Sequence, residues 1–198
     1  MQEIVVATSN AGKLREFAAL LAPGGLRLRA QSEFGVVSAE ETGGSFIENA
    51  IIKARHAAAA TGLPALADDS GLAVDALDGE PGIHSARFAG PGADDAANNR
   101  RLLERLAGVP PERRGARFHC VLVLMRHARD PVPLVCSAAW EGRILESPRG
   151  EHGFGYDPLF LDPLLGRSAA ELEPGLKNRL SHRARALEAL LRAVESRC

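Results

Sequence analysis

Two adjacent carboxylates, Asp68 and Asp69, end an apolar approach over residues 63–67 and run into Ser70-Gly71. Like charges crowded together disfavour folding unless something offsets them. A hard divalent cation does so. Mg²⁺ takes carboxylate and water oxygens, and around phosphates it combines one or two carboxylates with substrate oxygens. By itself the segment also reads as a polar turn with Ser70-Gly71 at its tip. Further carboxylates come from Glu40 and Glu41 in the loop Glu40-Glu41-Thr42-Gly43, and loops are where functional ligands concentrate. Asn49, Lys53 and His56 then recur at helical spacing opposite Ile47, Ala50, Ile51 and Ala54, a polar face that is either solvated or functional.

A second chemical feature is the run Thr8-Ser9-Asn10-Ala11-Gly12-Lys13 between a β-branched segment and a helical pattern. Free N–H groups at a helix start point at an anion, the helix dipole favours negative charge there, and Lys13 adds a cation in the first turn. This is not a Walker loop: the glycine five residues before Gly12 is missing, and Leu14 follows Lys13 instead of Ser or Thr. Many strand-to-helix turns of this type bind nothing. A third feature, Gly153-Phe154-Gly155-Tyr156-Asp157-Pro158, sets two aromatics and a carboxylate between glycines and a proline. It is either a simple turn or the aromatic face and carboxylate that a purine needs. Lys177, His182 and Arg183 lie before and at the start of the last helix, where an N-cap at Ser181 would leave His182 and Arg183 exposed.

These residues need elements to hold them. Residues 3–8 form a short strand, Leu14, Phe17, Leu20 and Leu21 recur at helical spacing, and Pro23-Gly24-Gly25 ends that helix. Residues 26–30 alternate as a half-buried strand. Ser45 and Glu48 form a capping box for a helix reaching about Thr61, ended by Gly62 and Pro64. Residues 72–77 read as a strand after the acidic turn. Asp94 or Asp95 caps a helix carrying Leu102, Leu103 and Leu106, closed by Gly108 and Pro110. Residues 118–125, 132–140 and 142–146 read as an antiparallel meander. Leu180, Ala184, Leu187, Leu191 and Val194 make the core stripe of the final helix. The pattern is mixed α/β, with a sheet that is not purely doubly wound.

Composition narrows the function. At 198 residues the chain can bury a proper core, and 45% hydrophobic with 25% charged residues is globular. Net charge is −1, with no lysine-rich run, one Trp and one Tyr, which disfavours a nucleic-acid groove and an RNA-binding module. The N-terminus does not read as a signal peptide, and no apolar run is long enough to span a membrane. Cys120, Cys136 and Cys198 are odd in number and widely spaced; reduced thiols and a cytoplasmic protein are expected.

Five ordered segments, TSNAGKLRE, EETGGSFIENAIIKA, LADDSGLAVDALDGEPGIHSARFAG, FGYDPLF and KNRLSHRARAL, resemble the signatures of the inosine-triphosphate pyrophosphatase family, from residue 4 to about residue 191. The resemblance implies a single catalytic domain over residues 1–198, an α/β fold of two lobes with a mixed central sheet and the active site in the cleft between them. It also implies Mg²⁺ dependence, a homodimer, and hydrolysis of ITP, dITP and XTP to monophosphate and pyrophosphate, which cleanses the nucleotide pool. Carried over by motif, Thr8, Ser9, Asn10, Ala11, Gly12 and Lys13 would cradle the triphosphate, with Ser9 where many members have glycine. Asp69, with Glu40 or Glu41, would hold the metal, and Asp69 would also accept the proton. Lys53 and Asp68 resemble the supporting catalytic pair and Ser70 a substrate contact. Phe154, Gly155, Tyr156, Asp157, Lys177, His182 and Arg183 resemble the base-recognition set. Within it Phe154 would stack on the purine, His182 and Arg183 would donate toward its 6-keto oxygen, and Asp157 would accept from a ring N–H. Septum-formation-inhibitor-like pyrophosphatases share the general fold, but the SHR and FGYDP motifs argue against them. A non-catalytic nucleotide sensor would leave the acidic pair without a use.

Overall fold

The computed structural model describes residues 3–21 and 27–196. The expected helix stop at Pro23-Gly24-Gly25, the strand start at Leu26 and the thiol of Cys198 lie outside the described residues. Seven strands form one mixed sheet, β1 (Glu3–Val6), β2 (Arg27–Ala30), β3 (Ala65–Val74), β4 (Gly115–Met125), β5 (Leu134–Ile144), β6 (Phe160–Asp162) and β7 (Arg167–Ser168), in the order β2-β1-β3-β4-β5-β6-β7. The helices are α1 (Ala11–Leu21), α2 (Phe46–Thr61), α3 (Asp95–Arg105), α4 (Pro174–Leu180) and α5 (His182–Glu195). The α/β class and the mixed sheet expected from the patterning are both present.

β1 lies parallel to both β2 and β3, while β5, β6 and β7 pair antiparallel. Parallel neighbours need long crossovers, here the segments carrying α1 and α2. The chain leaves β1 toward β2 on one side, and β3 pairs on the other. The carboxyl end of such a strand is where ligands settle in parallel sheets. Register does the rest: Val6 pairs with Leu66, so Asp68 and Asp69 continue alongside the turn that follows β1.

The local signals hold at the helix starts. Ser45 Oγ accepts from Glu48 N–H and donates to the Glu48 carboxylate, and Gly62 ends α2 as expected. Asp94 caps α3 through Ala97 N–H at 2.7 Å. Three expectations are corrected. The acidic pair sits not at a turn but inside the continuous strand β3, because the sheet ladder carries straight through residues 65–74. The separate strands 132–140 and 142–146 are one strand, β5, and the short β6 and β7 complete the antiparallel side. The final stripe is divided: Leu180 belongs to α4, and Ala186, Leu187 and Leu190 form the buried face of α5.

Two compact units divide the chain, with boundaries inside β3, β4, β5 and at the start of α5. The first comprises residues up to Asp69, Cys120–Ala138 and residues from Arg183. Its sheet has an apolar layer on each face, as strand periodicity requires. Val5, Ala65, Ala67, Val121 and Val123 pack with Ala50, Ala54 and Ala57 of α2. Ile4, Val6, Leu66, Cys120 and Leu122 pack with Phe17 of α1 and Leu187 of α5. The second unit, Ser70–His119 with Ala139–His182, has one core around Leu72, Leu102, Phe118, Trp140 and Phe160.

Candidate active site

In the first unit, the strand pleat resolves the conflict between the two carboxylates. Neighbouring residues of a strand face opposite sides, so Asp68 joins the α1/α5 face and Asp69 the α2 face, each beside its own cations. Asp68 is 1% exposed and pairs with Lys13 Nζ and with Arg183 Nε, the latter at 3.1 Å. Cys120 Sγ donates to the same carboxylate at 3.1 Å. Burial alone would raise the Asp68 carboxyl, but Arg183 and Lys13 outweigh it and hold it well below the ordinary carboxylate range. The Cys120 thiol is pushed well up, by burial first and then by the Asp68 charge, so it stays a donor. Arg183 also pairs with Glu16 of α1 and lies over the Phe17 ring, 5.9 Å from its centre.

Asp69 faces Lys53, whose ammonium is 2.6 Å from Asp69 Oδ1 and 2.9 Å from Glu41 Oε1. Burial raises the Asp69 carboxyl despite the Lys53 charge beside it. Burial would lower Lys53, but Asp69 and then Glu41 keep it raised and charged. The second Asp69 oxygen, Oδ2, is buried with no hydrogen-bond partner. The polar face of α2 is thus partly buried: Asn49 and Lys53 point inward, and His56 stays exposed with its ring nitrogen at Val37 O. Asn49 Oδ1 accepts from Gly43 N–H at 2.8 Å. A Cβ on Gly43 would lie 2.6 Å from Glu48 Cβ and 2.7 Å from Asn49 Oδ1, so the Glu41 loop reaches α2 only with glycine there. Glu41 therefore reaches Lys53, while Glu40 is exposed.

The turn after β1 caps the start of α1. Thr8 Oγ1 accepts from Asn10 N–H at 3.2 Å, and Asn10 Oδ1 caps α1 through Lys13 N–H at 3.0 Å. Ser9, Asn10 and Ala11 are exposed, Gly12 is buried and Lys13 half-buried. Ser70, the next residue of β3, is half-buried.

The second unit gathers the aromatic loop. Asp157 Oδ2 accepts from Phe154 N–H at 2.9 Å and from Lys177 Nζ at 2.5 Å, and Lys177 Nζ sits 4.8 Å from the centre of the Phe154 ring. Tyr156 is buried and donates its hydroxyl to Ser85 O at 2.8 Å. Burial, and then the Asp95 charge, push its phenol up, so it remains a donor. His182 stacks on Phe118, with ring centres 4.9 Å apart.

The sequence-derived residues therefore fall into two groups. Thr8–Lys13, Glu41, Lys53, Asp68, Asp69 and Arg183 cluster in the first unit, and Phe154, Gly155, Tyr156, Asp157 and Lys177 in the second. The exposed first turn expected at His182 and Arg183 is corrected, since both side chains are buried. Sequence reasoning missed Glu16 and Cys120. Glu16 follows Lys13 by three residues on one helix face, and Cys120 shares strand parity with Leu122 on the Asp68 side of the sheet; both spacings were legible.

The family model described as the Ham1 family matches residues 4–193. A "dITP/XTP pyrophosphatase" from Xanthomonas oryzae pv. oryzae is 60% identical over 190 residues, covering 96% of each chain. A protein of that name from Escherichia coli O157:H7 is 59% identical, covering 99% of this chain and 100% of its own. Among solved structures, a HAM1 protein from Coxiella burnetii superimposes with a TM-score of 0.92 at 51% identity, covering 99% of this chain and 100% of its own.

Proposed function

The chain belongs to the Ham1 family, and on that premise we propose that it is a nucleoside-triphosphate pyrophosphatase that hydrolyses the noncanonical purine triphosphates ITP, dITP and XTP. The products are the nucleoside monophosphate and pyrophosphate, and the reaction clears such nucleotides from the cytoplasmic pool. One observation carries this reading: Asp69 presents a buried, unpartnered carboxylate oxygen beside Lys53 and Glu41, on the strand paired with β1, whose end leads into the start of α1.

That orphaned oxygen fits a cation ligand, since a buried acceptor without a partner costs free energy. Asp69 and Glu41 are the residues that would hold Mg²⁺. Among the described residues no cluster of three or more His, Cys, Asp or Glu could hold a metal; two carboxylates completed by water and phosphate oxygens are the usual Mg²⁺ arrangement. When bound, Mg²⁺ supplies charge neutralisation to the phosphates.

The rest of the chemistry belongs to side chains. The Thr8–Lys13 turn takes the phosphate oxygens, with Lys13 leaving Asp68 for the triphosphate. Asp69 orients the attacking water and accepts its proton, a task favoured by a carboxyl raised above its ordinary value by burial. Water attacks the α-phosphorus and pyrophosphate leaves. Lys53 stays charged and keeps Asp69 in place. Phe154 stacks on the base, Asp157 accepts from a ring N–H, and Lys177, with His182, donates toward the 6-keto oxygen. An adenine 6-amino group would set donor against donor, and such a mismatch can be worth about 10⁴ in kcat/KM.

Product analysis tests the reaction. ITP with Mg²⁺ should yield monophosphate and pyrophosphate; diphosphate and phosphate would contradict the assignment. EDTA should abolish turnover and added Mg²⁺ restore it, whereas full activity in metal-free buffer would remove the metal from the scheme. We further propose that the enzyme is a homodimer. Light scattering should then return twice the 21.0 kDa chain mass, and the monomer mass would refute it.

A further inference from the structure

The base-reading loop contains a residue with no side chain, Gly155, and both of its backbone hydrogen-bonding groups are held by α3. Asp95 Oδ2 accepts from Gly155 N–H at 2.6 Å, and Asn99 Nδ2 donates to Gly155 O at 2.8 Å. The Asn99 amide is oriented by its second acceptor, Asp95 O, also at 2.8 Å, so both amide donations end on carbonyls. Asp95 and Asn99 are four residues apart on one helix face, which sets the spacing of the two contacts. Gly155 has φ +63°, in the left-handed region that favours glycine, so the peptide needs external bonds to keep its orientation.

Packing anchors the loop through buried Tyr156, but not on the Gly155 side. A cavity of about 470 Å³ is lined by Asp95, Asn99 and Leu103 of α3 on one side and by Phe154, Gly155 and Pro158 of the loop on the other. Across this cavity side chains do not interdigitate, so dispersion contacts are lost there and the two hydrogen bonds hold the Gly155 peptide to α3. Phe154 and Asp157 flank the clamped peptide, and they are the residues assigned to stack on the base and to accept from it.

We propose that Asp95 and Asn99 are positioning residues for base recognition: they clamp the Gly155 peptide and so set the Phe154 ring and the Asp157 carboxylate against the purine. This rests on the assignment of that loop to the base. Losing the clamp weakens what the base contributes to binding and leaves the phosphate end untouched.

The test uses the full chain, with ITP and ATP as substrates and inorganic triphosphate as a competing ligand that has no base. Asp95→Ala and Asn99→Ala should each raise KM for ITP roughly five- to tenfold, the worth of one lost hydrogen bond. Changes in kcat should stay within about twofold, and inhibition by inorganic triphosphate should match the wild type. Asp95→Asn, which retains an acceptor for Gly155 N–H, should fall closer to the wild type than Asp95→Ala. If one alanine variant does not fold, the other reads the same clamp from its opposite end. Unchanged KM for ITP in the alanine variants would overturn the proposal, as would equally weakened inhibition by inorganic triphosphate. A wild-type enzyme that does not prefer ITP over ATP would instead overturn the functional reading, and the clamp with it.

Discussion

Asp69→Asn is expected to lower turnover of ITP by about 10²–10⁴-fold, the range for losing a positioned general base, and to change how stability depends on pH. The second half follows from the direction of the Asp69 shift. Its carboxyl is raised in the folded protein, chiefly by burial. A raised acid contributes stability below its unfolded value, about pH 3.9, and that contribution is lost as pH rises through the folded value. The neutral amide has no such loss with rising pH, but it also removes the charge that keeps Lys53 raised. The difference in melting temperature between variant and wild type should move in the variant's favour as pH climbs above about 4, then stay constant. A variant with wild-type turnover would end the assignment of Asp69. A variant less stable at pH 8 than the wild type would show that its ion pair with Lys53 outweighs its desolvation.

Arg183→Ala should have the largest effect on stability. The side chain is 2% exposed and holds two carboxylates, Asp68 and Glu16. Removing one partner of a buried ion-pair network leaves uncompensated charge and typically costs about 3–5 kcal/mol. Denaturant melts would show this directly. The pH dependence has a definite sign. Asp68 is held well below its unfolded value, so the stability it contributes is present above about pH 3.9 and is lost as pH falls through the folded value. Without Arg183 that depression shrinks, and acid unfolding should begin at higher pH than in the wild type. Because Arg183 acts on Asp68, the loss of kcat/KM should be similar for ITP and ATP. A selective collapse of the ITP preference would place the guanidinium at the base instead.

These two variants separate residues that adjoin in sequence. Asp68 and Asp69 have opposite shifts because the strand pleat gives them different neighbours: two cations and a thiol around one, a single cation and a bare oxygen at the other. The first unit thus contains one carboxylate held well below the ordinary range and one raised above it. Such separation of paired acids is how a site divides charge stabilisation from proton transfer.

Much of this was readable along the chain because it depends on near neighbours. Ser45 with Glu48 predicts the start of α2, Gly62 its end, and Asp94 the start of α3, since capping is a matter of residues three or four apart. The Thr8–Lys13 turn and the Phe154–Asp157 loop stand out by composition, though composition alone leaves each open as a simple turn. The choice between Glu40 and Glu41 could not be read, because it depends on how a loop approaches a helix through Gly43. Nor could the burial of Arg183 be read, because its partners Asp68 and Glu16 lie 115 and 167 residues away in sequence. The acidic pair was misplaced at a turn for the same reason. The sequence shows two like charges in a row, and only the sheet, by sending alternate side chains to opposite faces, supplies each with a separate cation. Local patterning determined which residue types and helix starts this protein has; long-range pairing decided which carboxylate faces which charge.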